Sequence, residues 1–352
     1  MKIISLLIFL FCFSVASFAQ SGRNKPTETP SPTPRRPVLY NPTQTTFPKT
    51  TPTPRPTPTP DDDGEVVRVE SSLVPIPVSI TDAQGRAVTN LKLEDFLLEV
   101  DGQAAQISEL ARADTPVRLA LLFDNSSSVR LAREFEKKAA VRFFRQVIRP
   151  EKDLVALYSV ASGSRLEQPL TKNVSSLISA IENFPEPQGA TALLDAIIKA
   201  SEYLQSATEG RRVIVIVSDG EDNLSDSSLE ETVRAAQVNN CQIYVVKTTE
   251  FENLLLTGQR AGNANIRYLA AERRMQELAR QTGGAVYAPV DEKELDAAFA
   301  RISAELSQQY VLSYYPEDEK EKRGEFRSLA LKVKNRDALT VRTRKGYYVP
   351  KR

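Results

Sequence analysis

The stretch that most limits what this chain can become is residues 117–128, VRLALLFDNSSS. A mostly apolar run, 117–123, leads straight into Asp124-Asn125-Ser126-Ser127-Ser128. An unbroken apolar run closed by turn-forming residues reads as a strand buried on both faces. Leu131, Phe135, Ala139, Phe143 and Val147 follow at intervals of four, which predicts a helix with one apolar face. Asp124, Ser126 and Ser128 therefore fall in a tight strand-to-helix loop. In open α/β sheets that carboxyl end of a strand is where ligands bind. One carboxylate and two hydroxyls at alternate positions make an all-oxygen donor set, which suits a hard divalent cation. Taken alone, the same residues fit a solvated turn in which Asp and Ser bond the nearby backbone.

Downstream of this loop the pattern alternates between strands and helices. Strands are expected at 154–160, 164–170, 212–217, 242–246 and 285–287, and helices at 174–183, 192–204, 227–239, 269–282 and 292–308. Such a series predicts a doubly wound α/β domain, 114–308, with a mainly parallel sheet and helices on both faces. The polar connection 249–267 carries no pattern that assigns it.

The flanks read differently. In 65–113, Val74, Ile76, Val78 and Ile80 alternate with Pro75, Pro77, Ser79 and Thr81, a half-buried strand. Two prolines on its outward face suggest a sheet edge. Residues 82–86 form a turn, and 96–100, Asp101-Gly102 and 103–110 read as a hairpin. In 309–352, Tyr310, Leu312 and Tyr314 alternate, as do Leu329, Leu331 and Val333, and again Val341 and Thr343. Neither flank has the strands for a core of its own, since isolated hairpins are marginal. The expectation is one small all-β domain built from both flanks, with the α/β domain inserted between them.

Residues 1–19 read as a secretory signal, with Lys2 ahead of an apolar stretch and Ser17-Phe18-Ala19 as a small-x-small cleavage site. The stretch is short for a spanning helix, so the mature chain is expected to lack a transmembrane helix and to be secreted, periplasmic or attached to the cell envelope. Residues 20–64 are dense in Pro and Thr and read as an extended, disordered linker. Removal of the signal leaves Cys241 as the single cysteine, read as a buried inert thiol with no disulfide partner. Lys and Arg total 46 against 45 Asp and Glu, which gives no sign of a nucleic-acid binder. The chain has no His, which removes His-based triads, His metal sites and His acid–base chemistry together.

Two further loops follow strand positions that can lie beside Asp124. One is Gly189-Ala190-Thr191, at the start of a helix; the other is Ser218-Asp219-Gly220-Glu221-Asp222, at the end of a strand. The three loops together offer Asp124, Ser126, Ser128, Thr191 and Asp219. Around Mg²⁺, with ligands at about 2.1 Å, such an oxygen set leaves positions for water or one outside ligand. Glu221 and Asp222 read as solvated acids at the rim.

With DNSSS at 124–128, GATALLDAI at 189–197 and VSDGEDN at 217–223, the sequence resembles the von Willebrand factor type A (VWA) domain family. That family carries a metal-ion-dependent adhesion site (MIDAS) built from D-x-S-x-S, a Thr in a second loop and an Asp in a third. The resemblance spans about residues 117–306, and the flanks look like those of secreted bacterial VWA-related proteins with extra β segments. It implies binding without catalysis. Asp124, Ser126 and Ser128 would hold the cation, Mg²⁺ first with Mn²⁺ or Ca²⁺ as alternatives. Thr191 and Asp219 would do so directly or through water. An exposed Asp or Glu of a protein partner would complete the shell. Two rival readings stand beside this adhesion module. One is a structural module of an envelope assembly. The other is a metal-dependent hydrolase or phosphotransferase, which lacks a second acid two residues after Asp124, where Ser126 stands.

Overall fold

A computed structural model describes residues 73–112, 115–259, 266–316, 322–334, 336 and 338–350. The expected signal at 1–19 and the linker at 20–64 lie outside the described residues, as does the middle of the 249–267 connection. The first strands are β1 (Val74–Thr81), β2 (Phe96–Val100), β3 (Gln103–Ala105) and β4 (Glu109–Arg112). The α/β part follows as β5 (Val117–Asp124), α1 (Arg133–Val147), β6 (Leu154–Val160), β7 (Ser164–Thr171), α2 (Val174–Glu182), α3 (Leu193–Gln205) and β8 (Arg211–Ser218). It continues through α4 (Leu229–Val238), β9 (Cys241–Lys247), α5 (Thr249–Thr257), α6 (Ile266–Thr282), β10 (Val286–Tyr287) and α7 (Glu292–Gln308). The last strands are β11 (Tyr310–Tyr314), β12 (Phe326–Val333), β13 (Thr340–Arg342) and β14 (Gly346–Tyr348).

The six strands of the α/β part run in the order β10-β9-β8-β5-β6-β7, parallel except for β7, which returns antiparallel along β6. Every residue of β5 is buried, as its apolar run requires of a strand covered on both faces. Leu119, Leu121 and Phe123 point into one core with α1, α2 and α7. Ala120 and Leu122 point into the other with α3, α4 and α6. In the first core Phe143 tilts against Phe299 of α7, ring centroids 5.1 Å apart. Burying a side chain of this size contributes roughly 1.5–3 kcal/mol.

The topology places the site. From β5 the chain moves outward to β6 and β7; it then returns to β8 on the other side of β5 and moves outward to β9 and β10. β5 and β8 are adjacent, and the winding reverses between them. The loops at their carboxyl ends diverge around a crevice, the place where open α/β sheets bind ligands.

Strands from the two flanks interleave in two four-stranded sheets, β13-β1-β11-β4 and β14-β12-β2-β3. Their inward residues, including Ile76, Val78, Phe96, Leu98, Leu312 and Leu329, share one core. Tyr310 sits in it with its hydroxyl accepting from the Leu91 N–H at 2.9 Å.

Four local readings change. Leu131 does not belong to the apolar face of α1: it is 56% exposed, because a 3₁₀ turn at Ser128–Arg130 precedes the helix. β1 is interior in its sheet, but β13 pairs only with Ser79, Ile80 and Thr81. The carbonyls of Pro75 and Pro77 face Arg344 and Thr343 side chains on that open stretch, so the missing N–H groups cost no ladder bond. The hairpin strand after Gly102 stops at Ala105, and Glu109–Arg112 crosses to the other sheet beside β11. Residues 249–257, which carried no readable pattern, form α5.

Candidate metal centre

Asp124 is the last residue of β5, and Ser218 the last of β8 with Asp219 directly after it. The parallel register pairs Phe123 with Val217, so the two acids leave the sheet side by side. Asp124, Ser126, Thr191 and Asp219 are each 1% exposed, whereas Ser128 is open to solvent. The Asp124 Oδ1 accepts from the Ser126 N–H at 2.9 Å, and Oδ2 accepts from the Ser218 hydroxyl at 2.5 Å. The Ser126 and Ser128 hydroxyl oxygens are 3.0 Å apart, and a hydrogen bond from Ser128 stabilises ionised Asp219. Asp219 Oδ1 accepts from the Glu221 N–H at 2.8 Å.

Thr191 joins this cluster through the backbone. Its loop is tied to the first loop by Ser127 N–H donating to the Gly189 carbonyl at 3.1 Å. It is tied to the third by Asn223 and Leu224 N–H groups, both donating to the Thr191 carbonyl at 3.0 Å. The third loop reaches back with side chains. Asn223 Oδ1 accepts from the Thr191 N–H, and Asp222 Oδ1 accepts from the Leu193 N–H, both at 2.9 Å. Asp222, read from sequence as a solvated rim acid, instead holds the amino end of α3. Two glycines make these turns possible. Gly189 has φ +81°, with the Ser162 hydroxyl 2.5 Å from where a Cβ would stand, and Gly220 has φ +81° against Met275.

Burial raises the Asp124 carboxyl, and the neighbouring charge of Asp219 raises it further; burial raises Asp219 as well. Neither forms an ion pair with a basic side chain among the described residues. Two further acids stand behind them. Glu136 of α1 is fully buried and has no ion-pair partner among the described residues; the nearby Thr248 hydroxyl is the group that favours its ionised form. Burial and then the charge of Asp124 push it well above the usual carboxylate range. Glu252 of α5 is pushed up to about 8 by burial and then by Asp219 and Asp124.

Among the described residues, no three carboxylate or thiolate groups come together as a metal-ligand cluster. The chemistry available is two carboxylates with hydroxyls from Ser126 and Ser128, and Thr191 beside them. Such a set has no nitrogen or sulfur donor and two negative charges without a basic partner. It fits a hard divalent cation with open positions for water or an outside oxygen.

Sequence reasoning missed Ser218, Glu136 and Glu252. Ser218 stands directly before Asp219 in the third loop, but nothing in the sequence pairs its hydroxyl with Asp124. Glu136 had a signal: it stands next to Phe135 and three and four residues before Ala139 and Ala140, on a stripe that is otherwise apolar. Glu252 lies in the stretch that carried no pattern.

Residues 119–300 match the family model described as the von Willebrand factor type A domain. No curated protein sequence matches the chain. Similar solved structures include the conserved hypothetical protein BatB from Bacteroides thetaiotaomicron, 20% identical with TM-score 0.43, covering 54% of this chain and 98% of that one. A von Willebrand factor type A protein from Catenulispora acidiphila is 12% identical with TM-score 0.45, covering 80% of this chain and 75% of that one. Proximal thread matrix protein 1 from the mussel byssus, with a zinc-occupied MIDAS motif, is 14% identical with TM-score 0.44, covering 57% and 49%.

Proposed function

The chain belongs to the von Willebrand factor type A domain family, and from that premise we propose that it is a non-enzymatic protein-binding module outside the cytoplasm. In this reading Asp124, Ser126, Ser128, Thr191 and Asp219 hold a divalent cation, Mg²⁺ first, and the cation captures an exposed Asp or Glu of a partner. The observation that carries the reading is the pair Asp124 and Asp219. They are buried side by side at the reversal point of the sheet, each with a raised carboxyl and no basic partner among the described residues. Buried like charges are costly unless a cation compensates them. A cation there supplies a Lewis-acidic position for an outside oxygen. Ser128, at the solvent end of the cluster, marks the side from which a partner carboxylate arrives.

The pattern at residues 1–19 supports a place outside the cytoplasm. Among the described residues no helix is long and apolar enough to cross a membrane. A hydrolase reading is disfavoured by Ser126, which stands where a second catalytic acid is needed, and by the lack of any His in the sequence.

The test has two stages. Calorimetry should detect Mg²⁺ or Mn²⁺ binding that is lost in Asp124→Ala, with the near-ultraviolet dichroism of the fold retained. Surface plasmon resonance against a partner isolated from envelope fractions should then show binding that needs the cation and fails in EDTA. It should also fail in Ser126→Ala and in Thr191→Ala. Equal affinity in EDTA and in Mg²⁺ would favour the structural-module reading.

A further inference from the structure

At the opposite end of the central sheet from the metal cluster lies a cavity of about 340 Å³. Eight residues of β8 separate the two places, roughly 23 Å at the rise of an extended strand. Arg211 and Arg212, which begin β8, line the cavity with Arg344, which precedes β14. Pro75, Pro77 and Val311, from β1 and β11, form its apolar side. The cavity therefore sits where the flanking strands meet the α/β part. Its size is at the lower end of small-ligand sites, and its lining pairs apolar walls with a few convergent polar groups, as such sites do.

The three guanidiniums share one property: among the described residues, every hydrogen bond they donate goes to a neutral oxygen. Arg211 donates to Gln309 Oε1 at 2.7 Å and to the Leu306 carbonyl. Arg212 donates to the Leu204 and Asn239 carbonyls at 3.0 and 3.1 Å. Arg344 donates to Asn240 Oδ1 and, at 2.8 Å, to the Pro75 carbonyl. The Nε atoms of Arg211 and Arg344 are buried without a hydrogen-bond partner among the described residues. Asp153, the carboxylate whose field reaches Arg211, is already clasped by Arg149 through two 2.8 Å bonds. Glu209, the one carboxylate among the described lining residues, is exposed and makes no ion pair among them. Burial pushes Arg211 and Arg344 down to about 10, the sign of positive charge poorly solvated. Arg344 also lies over the Tyr347 ring, 5.2 Å from its centroid, which offsets its charge only in part; Arg342 by contrast is ion-paired with Glu305.

A buried cation is retained when something pairs it, and Arg in particular is suited to planar oxyanions. We propose that this cavity is a second binding site, for a small organic anion bearing a carboxylate or a phosphate. The Arg211, Arg212 and Arg344 charges provide affinity, and Pro75, Pro77 and Val311 contact the apolar remainder of the ligand. The site is independent of the metal cluster. Because its walls come from both the flanks and the α/β part, occupancy ties the two together.

The test uses the full chain with EDTA present throughout, so that the metal cluster takes no part. Titration calorimetry is run with inorganic phosphate and with succinate at constant ionic strength. Saturable binding of at least one probe is expected, with a rise in melting temperature. Phosphate alone assigns a phosphoryl ligand, succinate alone a carboxylate, and both together mean that charge selects. Arg344→Gln and Arg212→Gln should each weaken binding by about tenfold or more. Arg344 is buried and its variant can fail to fold; Arg212 is half-buried, so Arg212→Gln then carries the test. The proposal is overturned if neither probe saturates by about 10 mM, or if a folded Arg212→Gln binds with unchanged affinity.

Discussion

Asp124, Asp219, Glu136 and Glu252 all have carboxyls raised by burial, and three of them are raised further by one another's charge. An acid raised in this way keeps its proton in the folded state at a pH where the unfolded chain has released it. Ionising it therefore costs stability as pH rises from the ordinary carboxylate range through the raised value. In EDTA the melting temperature should fall between pH 5 and about pH 8, the value to which Glu252 is pushed. Asp153, lowered by its hydrogen bonds with Arg149 and Val117, is ionised throughout that window and adds no slope there. Adding Mg²⁺ at pH 8 should recover the loss, and scanning calorimetry at the two pH values with and without metal reads both effects. Asp124→Asn removes one charge of the pair. In EDTA at pH 8 it should stabilise by about 1–3 kcal/mol, at about 1.4 kcal/mol per unit of raised pKa, and the response to Mg²⁺ should vanish. Glu136→Gln should stabilise at pH 8 whether or not metal is present; destabilisation would mean that the Glu136 carboxylate does hold a positive group.

At the scale of elements, two contacts fix how the helices cover the sheet. Helix α4 begins with a reciprocal cap, in which Ser228 Oγ accepts from the Glu231 N–H at 3.2 Å and Glu231 Oε2 accepts from the Ser228 N–H at 2.7 Å. Ser228→Ala should cost about 1 kcal/mol in urea denaturation. Helices α1 and α7 meet through Phe143, which touches both Phe144 and Phe299 and is fully buried. Phe143→Ala should cost about 3–5 kcal/mol, the larger loss because the space is walled by two other rings. A loss for Phe143→Ala no greater than that for Ser228→Ala would show that α1 and α7 close around the missing ring.

At the scale of the whole molecule, β11 lies between β1 and β4, and β12 lies between β2 and β14. The amino-terminal flank therefore has no complete sheet without the carboxyl-terminal one. A chain ended after Gln308 should expose half of the flanking core and become sensitive to protease within residues 73–112. A fragment holding residues 115–308 keeps the six-stranded sheet and both of its cores. It should unfold cooperatively on its own, as dichroism during heating would record. Failure of that fragment to fold would mean that the bonds of Gln309 to Ser79 and Gln242 are needed for the central sheet as well.

Local periodicity and loop chemistry determined much of this protein in advance. The apolar run of β5 has one stable home, a strand covered on both faces. The four-residue spacing of Phe135, Ala139, Phe143 and Val147 has one matching element, a helix with a single buried stripe. Asp124, Ser126, Ser128, Thr191 and Asp219 stood out as candidates only jointly, because three loops carry Asp, Ser and Thr in order, two of them at strand ends and one, with Thr191, ahead of α3. Other features depend on contacts between residues far apart in the chain. Glu136 is an ordinary helical acid until α5 and the ends of β5 and β8 close over it. Leu131 is an apolar residue left outside because a 3₁₀ turn shifts the start of α1. Asp222 becomes a cap only when the third loop meets α3. The arginine-lined cavity has no linear signature at all, since Pro75 of β1, Arg211 of β8 and Arg344 just before β14 meet only when both flanks pack against the base of the central sheet. Sequence patterns report which face of an element is apolar; which charges end up buried beside one another is decided by how the elements pack.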